Sequence, residues 1–333
     1  MTRSTHGRSV LILAAPTFDD PTADRVAAEL ALRGVPVIRM DAAQFPTRIA
    51  MTATISSGDR WRGRLTATDD GHDLVDLAGV GAVYYRHPEQ FVLDERMSAP
   101  ERVFAFREAR RGFGGVVQAL AGARWVNDPV AAARCEYKPV QLAEAARVGL
   151  EIPDTLITSD PQAAYDWAKA LGRPVVYKPL GGIWHGDEGR VRVLYTTAVR
   201  DLETLRDPAI CRTAHLFQEQ VPKAFEARAV VVGHRVFAMR IQAGSERAAM
   251  DWRSDYDALT YDDLHLPADT AAKLVELHRR LGLVCGAADL VCRPDGRYVL
   301  LETNQAGEWG WITAETGAPI AAAVADELTR IPT

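Results

Sequence analysis

The chain has 333 residues, 47% of them hydrophobic, which suits two or three subdomains with sizeable interiors. A formal net charge of −5 gives no overall attraction to nucleic acid or to an acidic membrane, so an anion site has to be argued from particular residues. Four cysteines with no CxxC pair, no charged-then-apolar leader and no apolar run of about 18 residues point to reduced thiols in a cytoplasmic protein that does not enter a membrane.

Ser9 to Ala15 is a compact apolar run closed by Pro16, and Asp19 to Leu32 carries helical periodicity ending at Gly34. Pro36 to Met40 and Gly81 to Tyr85 read as further strands, so residues 1–125 form an α/β layer with a hairpin near Trp61. No GxGxxG opens the first helix, which argues against a dinucleotide site there. A boundary falls near Trp125-Val126-Asn127-Asp128-Pro129, where Asn or Asp can cap the helix that Pro129 begins. Residues 130–149 read as one alanine-rich helical stretch ended by Gly149, Thr155 to Thr158 as extended, and Gln162 to Leu171 as a helix stopped by Gly172. Val175 to Lys178 is a strand running into Pro179 and a glycine-containing loop. From Leu216 onward short strands alternate with tight turns, interrupted by one helix around Ala268 to Leu281.

The C-terminal hairpin carries the sharpest argument. Ala287 to Arg293 and Arg297 to Thr303 flank Pro294-Asp295-Gly296, and Asp-Gly is a preferred two-residue turn. Such a turn pairs Pro294 with Arg297 and sets Asp289 opposite Glu302, with Asn304 on the same face by strand alternation. Two carboxylates and an amide oxygen are hard ligands suited to magnesium beside a polyphosphate. The competing reading is a solvated cross-strand pair, against which stand the apolar neighbours Ala288, Leu290, Val299 and Leu301. Pro294 cannot donate its share of the closing hydrogen bonds, and a slip of one residue would undo the pairing.

Lys178 leaves an apolar strand just before Gly181 and Gly182, a place from which an ammonium and close backbone amides can meet phosphate oxygens. Lys138, on an earlier helix, can supply a second cation, and the absence of GxxxxGK[ST] excludes a P-loop. Gln218-Glu219-Gln220-Val221 leads into a second hairpin, Glu226 to Gln242, in which Glu226 and Arg228 share a face. Arg228 is a candidate charge stabiliser for a transferring phosphoryl group. A two-residue Gly233-His234 loop would put Arg240 on the other face and a three-residue loop would set it opposite Arg228; the sequence leaves both open, along with a plain salt-bridge ladder.

Lys138, the Val175-Val176-Tyr177-Lys178-Pro179 strand with its glycine loop, the Gln218-Glu219-Gln220-Val221 hinge, Glu226-Ala227-Arg228, Asp289 and Glu302-Thr303-Asn304 together resemble the ATP-grasp superfamily from about residue 125 to the end. The resemblance implies an α/β (α+β) ATP-grasp fold with an N-terminal α/β pre-ATP-grasp domain over 1–125, a central subdomain with the glycine-rich loop over 126–217, and a C-terminal subdomain with the metal site over 218–333. It also implies that Lys138, Lys178, Gly181 and Gly182 hold ATP phosphates, that Gln218, Glu219 and Val221 form the adenine hinge, that Glu226 holds the ribose, and that Asp289, Glu302 and Asn304 bind Mg2+.

Val83-Tyr84-Tyr85-Arg86-His87-Pro88, Trp125-Val126-Asn127, Asp251-Trp252-Arg253 and the run from Glu302 to Trp311 are similar to the graspetide synthetases, ATP-grasp maturases of ribosomal peptides. This chain has Arg86-His87 where two arginines are usual, and Glu308 where a glutamine is common. The likeness implies a precursor peptide with a leader and an acidic core as partner, whose Asp or Glu side chains are phosphorylated and closed onto Ser, Thr or Lys, and a homodimer. Arg228 would offset phosphoryl charge, Arg240 and Arg253 would pair with the incoming carboxylate, and His185 is either a proton acceptor or a solvent-facing side chain. The rival expectations are an amino-acid or peptide ligase of the glutamate-adding type and a nucleotide-sensing module without ligation.

Overall fold

The apolar run Ser9–Ala14 forms strand β1 and is almost wholly buried, because helix α1 (Pro21–Leu32) lays Val26 and Leu30 over it. After β2 (Val37–Met40) the chain inserts an antiparallel sheet of β3 (Ile49–Thr54), β4 (Arg62–Ala67) and β5 (Asp73–Asp76), with Trp61 just before β4. It then returns as β6 (Val80–Arg86), crosses over through α2 (Ala99–Gln118) and closes the layer with β7 (Arg124–Val126). Strands β2-β1-β6-β7 form one parallel sheet, as the crossover helices require. The computed structural model describes residues 8–15, 21–86, 88–181, 184–187 and 190–330.

Asp128 caps α3 (Pro129–Cys135), accepting from the amides of Val130 and Ala131. The single helix expected over 130–149 is two, since α4 (Lys138–Arg147) restarts after Glu136-Tyr137. Pro139, in its first turn, has no amide with which to continue the hydrogen bonding of α3. Strand β8 (Thr155–Thr158), α5 (Pro161–Leu171), β9 (Val175–Lys178), the hairpin of β10 (Trp184–Asp187) and β11 (Arg190–Val193), β12 (Thr197–Val199) and β13 (His215–Glu219) follow. They give an antiparallel sheet of order β12-β9-β13-β8 with α5 on one face. The boundary expected between 217 and 218 falls inside β13.

The remaining chain builds β14 (Phe225–Val232), β15 (Arg235–Ala243), α6 (Glu246–Met250), β16 (Leu259–Leu264), α7 (Ala268–Leu281), β17 (Cys285–Cys292), β18 (Tyr298–Asn304), α8 (Gly310–Thr316) and α9 (Ile320–Thr329). Its sheet has the order β16-β15-β14-β17-β18, antiparallel throughout. One face, with Ala227, Ala229, Val231 and Leu290, packs on Leu274, Leu277 and Leu281 of α7 and Ala145 of α4. The other, with Val230, Val232 and Met239, shares a core with Ile320, Val324 and Leu328 of α9 and with Ile12 and Leu30 of the first layer. Only one helix was expected after Leu216; α9 was missed because it is buried along most of its surface and shows little polar-apolar alternation.

Candidate active site

Asp289 on β17 does face Glu302 on β18, with Asn304 paired to Ala287 further along the same strands. The turn that produces this register differs from the expected one. Arg293 donates to Arg297 O at 2.8 Å and Gly296 donates to Arg293 O at 2.9 Å, so the loop is Pro294-Asp295-Gly296, with Gly296 left-handed at φ 86°. Cys292 therefore opposes Tyr298 and Leu290 opposes Leu300, one residue out of step with the two-residue turn. A β-bulge then places Leu301 as the extra residue and restores Asp289 to Glu302.

Cationic side chains meet both carboxylates. Arg228, nearly buried, donates to Asp289 Oδ1 at 2.7 Å, and Arg253 pairs with Asp289 Oδ2 while lying 3.3 Å from Glu302 Oε1. Lys138 Nζ stands 2.8 Å from Glu302 Oε2. Burial raises the cost of the Glu302 charge, but Lys138 and Arg253 outweigh it and hold the carboxyl below the usual carboxylate range. Burial pushes the Lys178 ammonium down, against the pull of Glu302. Asn304 turns one Oδ1 lone pair to the Ala306 amide at 3.0 Å, which leaves a second. Two carboxylates and an amide oxygen on one wall of a cleft fit Mg2+, a hard cation that takes oxygen ligands.

Lys138, Arg253, Asp289, Glu302 and Asn304 line a cavity of about 530 Å³ together with Lys178, Gly181, Lys223, Glu226, Asp251 and Gln141, while Arg228 stands behind Asp289 and outside this lining. The cavity runs into a second, of about 320 Å³, walled by Val176, Val221, Val291, Leu301 and Ala249. Lys178, Thr196, Lys223, Met250 and Leu301 belong to both, so one cleft has a charged end and an apolar end. At the apolar end two hinge side chains are held by neighbours: Gln218 donates to Thr155 Oγ1 at 3.0 Å, and Glu219 pairs with Arg173 at 2.7 Å. Among the described residues no backbone carbonyl accepts from the Val221 amide. Glu226 is buried beside Lys223; burial raises its pKa, and the lysine partly offsets this.

The alternatives left open for Arg240 resolve against the site. Val232 pairs with Arg235 across a two-residue loop, so Arg240 opposes Ala227 rather than Arg228 and lies on the other face. There its guanidinium stacks on Phe225, 4.4 Å from the ring centre, and donates to Gln242. Gly182, Gly189, His87 and the side chain of His185 lie outside the described residues. Sequence reasoning overlooked Lys223, Thr196, Met250 and Gln141 as cleft residues. Gln141 was findable, since it stands one helical turn after Lys138 and so shares its face; Lys223 and Thr196 lie on connecting segments, and Met250 ends the five-residue α6, too short to show a periodic pattern.

The segment after Asn304 is tied down from the first layer. Asn127 donates to Cys285 O and Gln305 O at 2.6 and 2.7 Å and accepts from the amides of Val284 and Cys285. Arg86 donates to Ala306 O and pairs with Glu308 Oε1, both at 2.6 Å. The two departures noted in the sequence thus involve segments that meet in the fold.

Comparison with known proteins agrees with this architecture. Residues 9–133 match the family described as the MvdD pre-ATP grasp domain. Over 96% of each chain, the structure superposes on a RiPP-associated ATP-grasp ligase of Chryseobacterium gregarium, solved with ADP and a leader and core peptide, with a TM-score of 0.86 and 26% identity. The macrocyclase MdnC from Microcystis aeruginosa MRC, bound with the precursor peptide MdnA, gives a TM-score of 0.80 and 29% identity over 96% of this chain and 99% of that one. Among curated sequences, the alpha-aminoadipate–LysW ligase LysX of Saccharolobus solfataricus is 39% identical over 59 residues, a stretch spanning 18% of this chain and 22% of the relative.

Proposed function

Starting from a chain that belongs to the ATP-grasp ligases, we propose that it is an ATP-dependent peptide macrocyclase acting on Asp or Glu side chains of a ribosomal precursor peptide. The observation that carries this reading is the single cleft in which Asp289, Glu302, Asn304, Lys138 and Lys178 line one end and an apolar hinge pocket forms the other. ATP would lie along it with adenine against Val176, Val221 and Leu301, ribose near Glu226, and phosphates toward Lys138 and Lys178. Mg2+ held by Asp289, Glu302 and Asn304 would neutralise phosphate charge and fix the γ-phosphoryl group for in-line transfer.

A peptide carboxylate attacks the γ-phosphorus, the bond to the β-phosphate oxygen breaks and ADP leaves. A Ser or Thr hydroxyl, or a Lys amine, then attacks the acyl phosphate, losing its proton and expelling phosphate, so each ring costs one ATP and removes one water. Arg228, rigidly held by Asp289, offsets charge spreading over the transferring group; Arg253 stands at the same wall, within reach of an incoming carboxylate. Proteins similar in fold and solved with leader, core or precursor peptides support a peptide substrate.

The short LysX match favours one rival, ligation of an amino acid to a carboxylate. Incubating the protein with ATP, Mg2+ and either acidic Ser/Thr/Lys-containing peptides or free amino acids separates them. ADP formed only with peptide, accompanied by loss of one water per ring, supports cyclisation; ADP formed with free amino acids and a mass gain on the acceptor supports the rival.

A further inference from the structure

The bulge at Leu301 raises the question of what keeps β18 in the register that aims Glu302 and Asn304 into the cleft. β18 is an edge strand, and its outward amides are taken by other segments: Leu300 N donates to Glu151 O at 2.8 Å and Thr303 N to Gln141 Oε1 at 2.9 Å. Outward amides of a regular strand recur every second residue, so positions 300 and 303 mark the bulge from outside the sheet. The Thr303 side chain falls on the opposite face from Glu302 and reaches His278 Nε2 at 3.0 Å. His278 Nδ1 lies 2.8 Å from Leu274 O, which can only accept, so Nδ1 carries the proton and Nε2 accepts from the Thr303 hydroxyl. His278, Thr303 and Gln141 are all buried, at 1%, 2% and 4% exposure.

We propose that Gln141 and His278 are positioning residues that recognise Thr303 by its amide and its hydroxyl, and so select the bulged register in which Glu302 and Asn304 face the cleft. In the register without the bulge, Glu302 would oppose Ala288, and its carboxylate would turn into the apolar face formed with Leu274 and Leu277. That alternative places an acid, not a hydroxyl, against the neutral imidazole nitrogen. Gly286 leaves room for the arrangement, since a Cβ there would sit 2.8 Å from His278 Nε2. The inference rests on the proposed function, because it concerns the residues assigned to Mg2+.

Calorimetric ADP binding with and without Mg2+ tests it in Thr303→Val, Thr303→Ser, Gln141→Leu and Glu302→Ala. Outer residues that orient ligands typically change metal affinity by about 10–100-fold, so Thr303→Val and Gln141→Leu should lose roughly 10-fold or more of the Mg2+-dependent gain in ADP affinity. Metal-free ADP affinity should stay as in the parent in Thr303→Val, whose side chain faces His278, and Thr303→Ser, which keeps the hydroxyl, should restore the gain. A parental Mg2+ gain in folded Thr303→Val and Gln141→Leu overturns the positioning role. A parental gain that survives Glu302→Ala overturns instead the metal assignment on which the inference rests, so the two failures are told apart.

Discussion

Arg86, at the end of β6, pairs with Glu308 on the segment after β18, so the N-terminal layer and the strand bearing Glu302 and Asn304 are linked by one buried guanidinium. The arginine is 2% exposed, whereas the Glu308 side chain is 60% exposed and also accepts from Thr22 Oγ1 at 3.2 Å. The two ends of the pair should therefore respond differently to substitution. Arg86→Met removes the donor to Ala306 O from a dry environment and is expected to lower stability by about 2–4 kcal/mol in urea unfolding. Glu308→Gln, which keeps an acceptor for Arg86 and a partner for Thr22, should stay within about 1 kcal/mol of the parent.

Arg228 is fixed by contact from two sides. A Cβ at Gly307 would lie 2.5 Å from its Nη2 and 2.5 Å from Ala287 Cβ, so Gly307→Ala has to displace the guanidinium or the segment. Removing a preorganised charge stabiliser commonly lowers turnover by about 10²–10³-fold, the loss expected for Arg228→Gln in steady-state ADP release, with ADP affinity little changed. Gly307→Ala should move in the same direction by a smaller factor. A weakened ADP affinity at unchanged turnover would place Arg228 in nucleotide binding instead.

Arg240 supplies the contrasting case. Its half-buried guanidinium stacks on Phe225, a contact worth about 1–2 kcal/mol in such a partly desolvated place. Arg240→Ala should therefore cost a little stability while leaving peptide-dependent ADP release near the parental rate; a collapse of the rate would return Arg240 to the reaction.

His278 gives the fold a pH dependence. Burial pushes its imidazole down from 6.5 to about 4, partly opposed by the Leu274 carbonyl. Between those values the unfolded chain binds a proton that the folded chain refuses, so stability falls as pH drops from about 6.5 toward 4, by up to roughly 3 kcal/mol in the limit. Urea unfolding of the parent and of His278→Gln across this window should show the smaller slope in the variant; equal slopes would mean the imidazole titrates normally in the fold.

Much of the candidate site's geometry was legible because it follows strand alternation. Glu226 and Arg228 share a face, and Lys178 ends its strand at the cleft, as local pattern implied. The pairing of Asp289 with Glu302 was reached through the wrong turn: Pro294 is absorbed into a longer loop, and the error is cancelled by a bulge that local pattern does not announce. The parts that could not be read depend on packing between distant segments. Asn127 ties β17 to Gln305, and α9 completes a core begun by β1 and α1. A register choice between two loop lengths, as at Gly233-His234, is likewise settled by the sheet as a whole rather than by the turn.

In the proposed site Asp289, Glu302 and Asn304 hold a divalent cation against the phosphates of a bound nucleotide. Substituting Mn2+ for Mg2+ and recording electron-nuclear double resonance with ADP tests this directly. Phosphorus couplings on the bound Mn2+ are expected in the parent, and their loss in Asp289→Ala and Glu302→Ala while metal-free ADP still binds. Couplings that persist unchanged in both variants would contradict it and place the cation elsewhere.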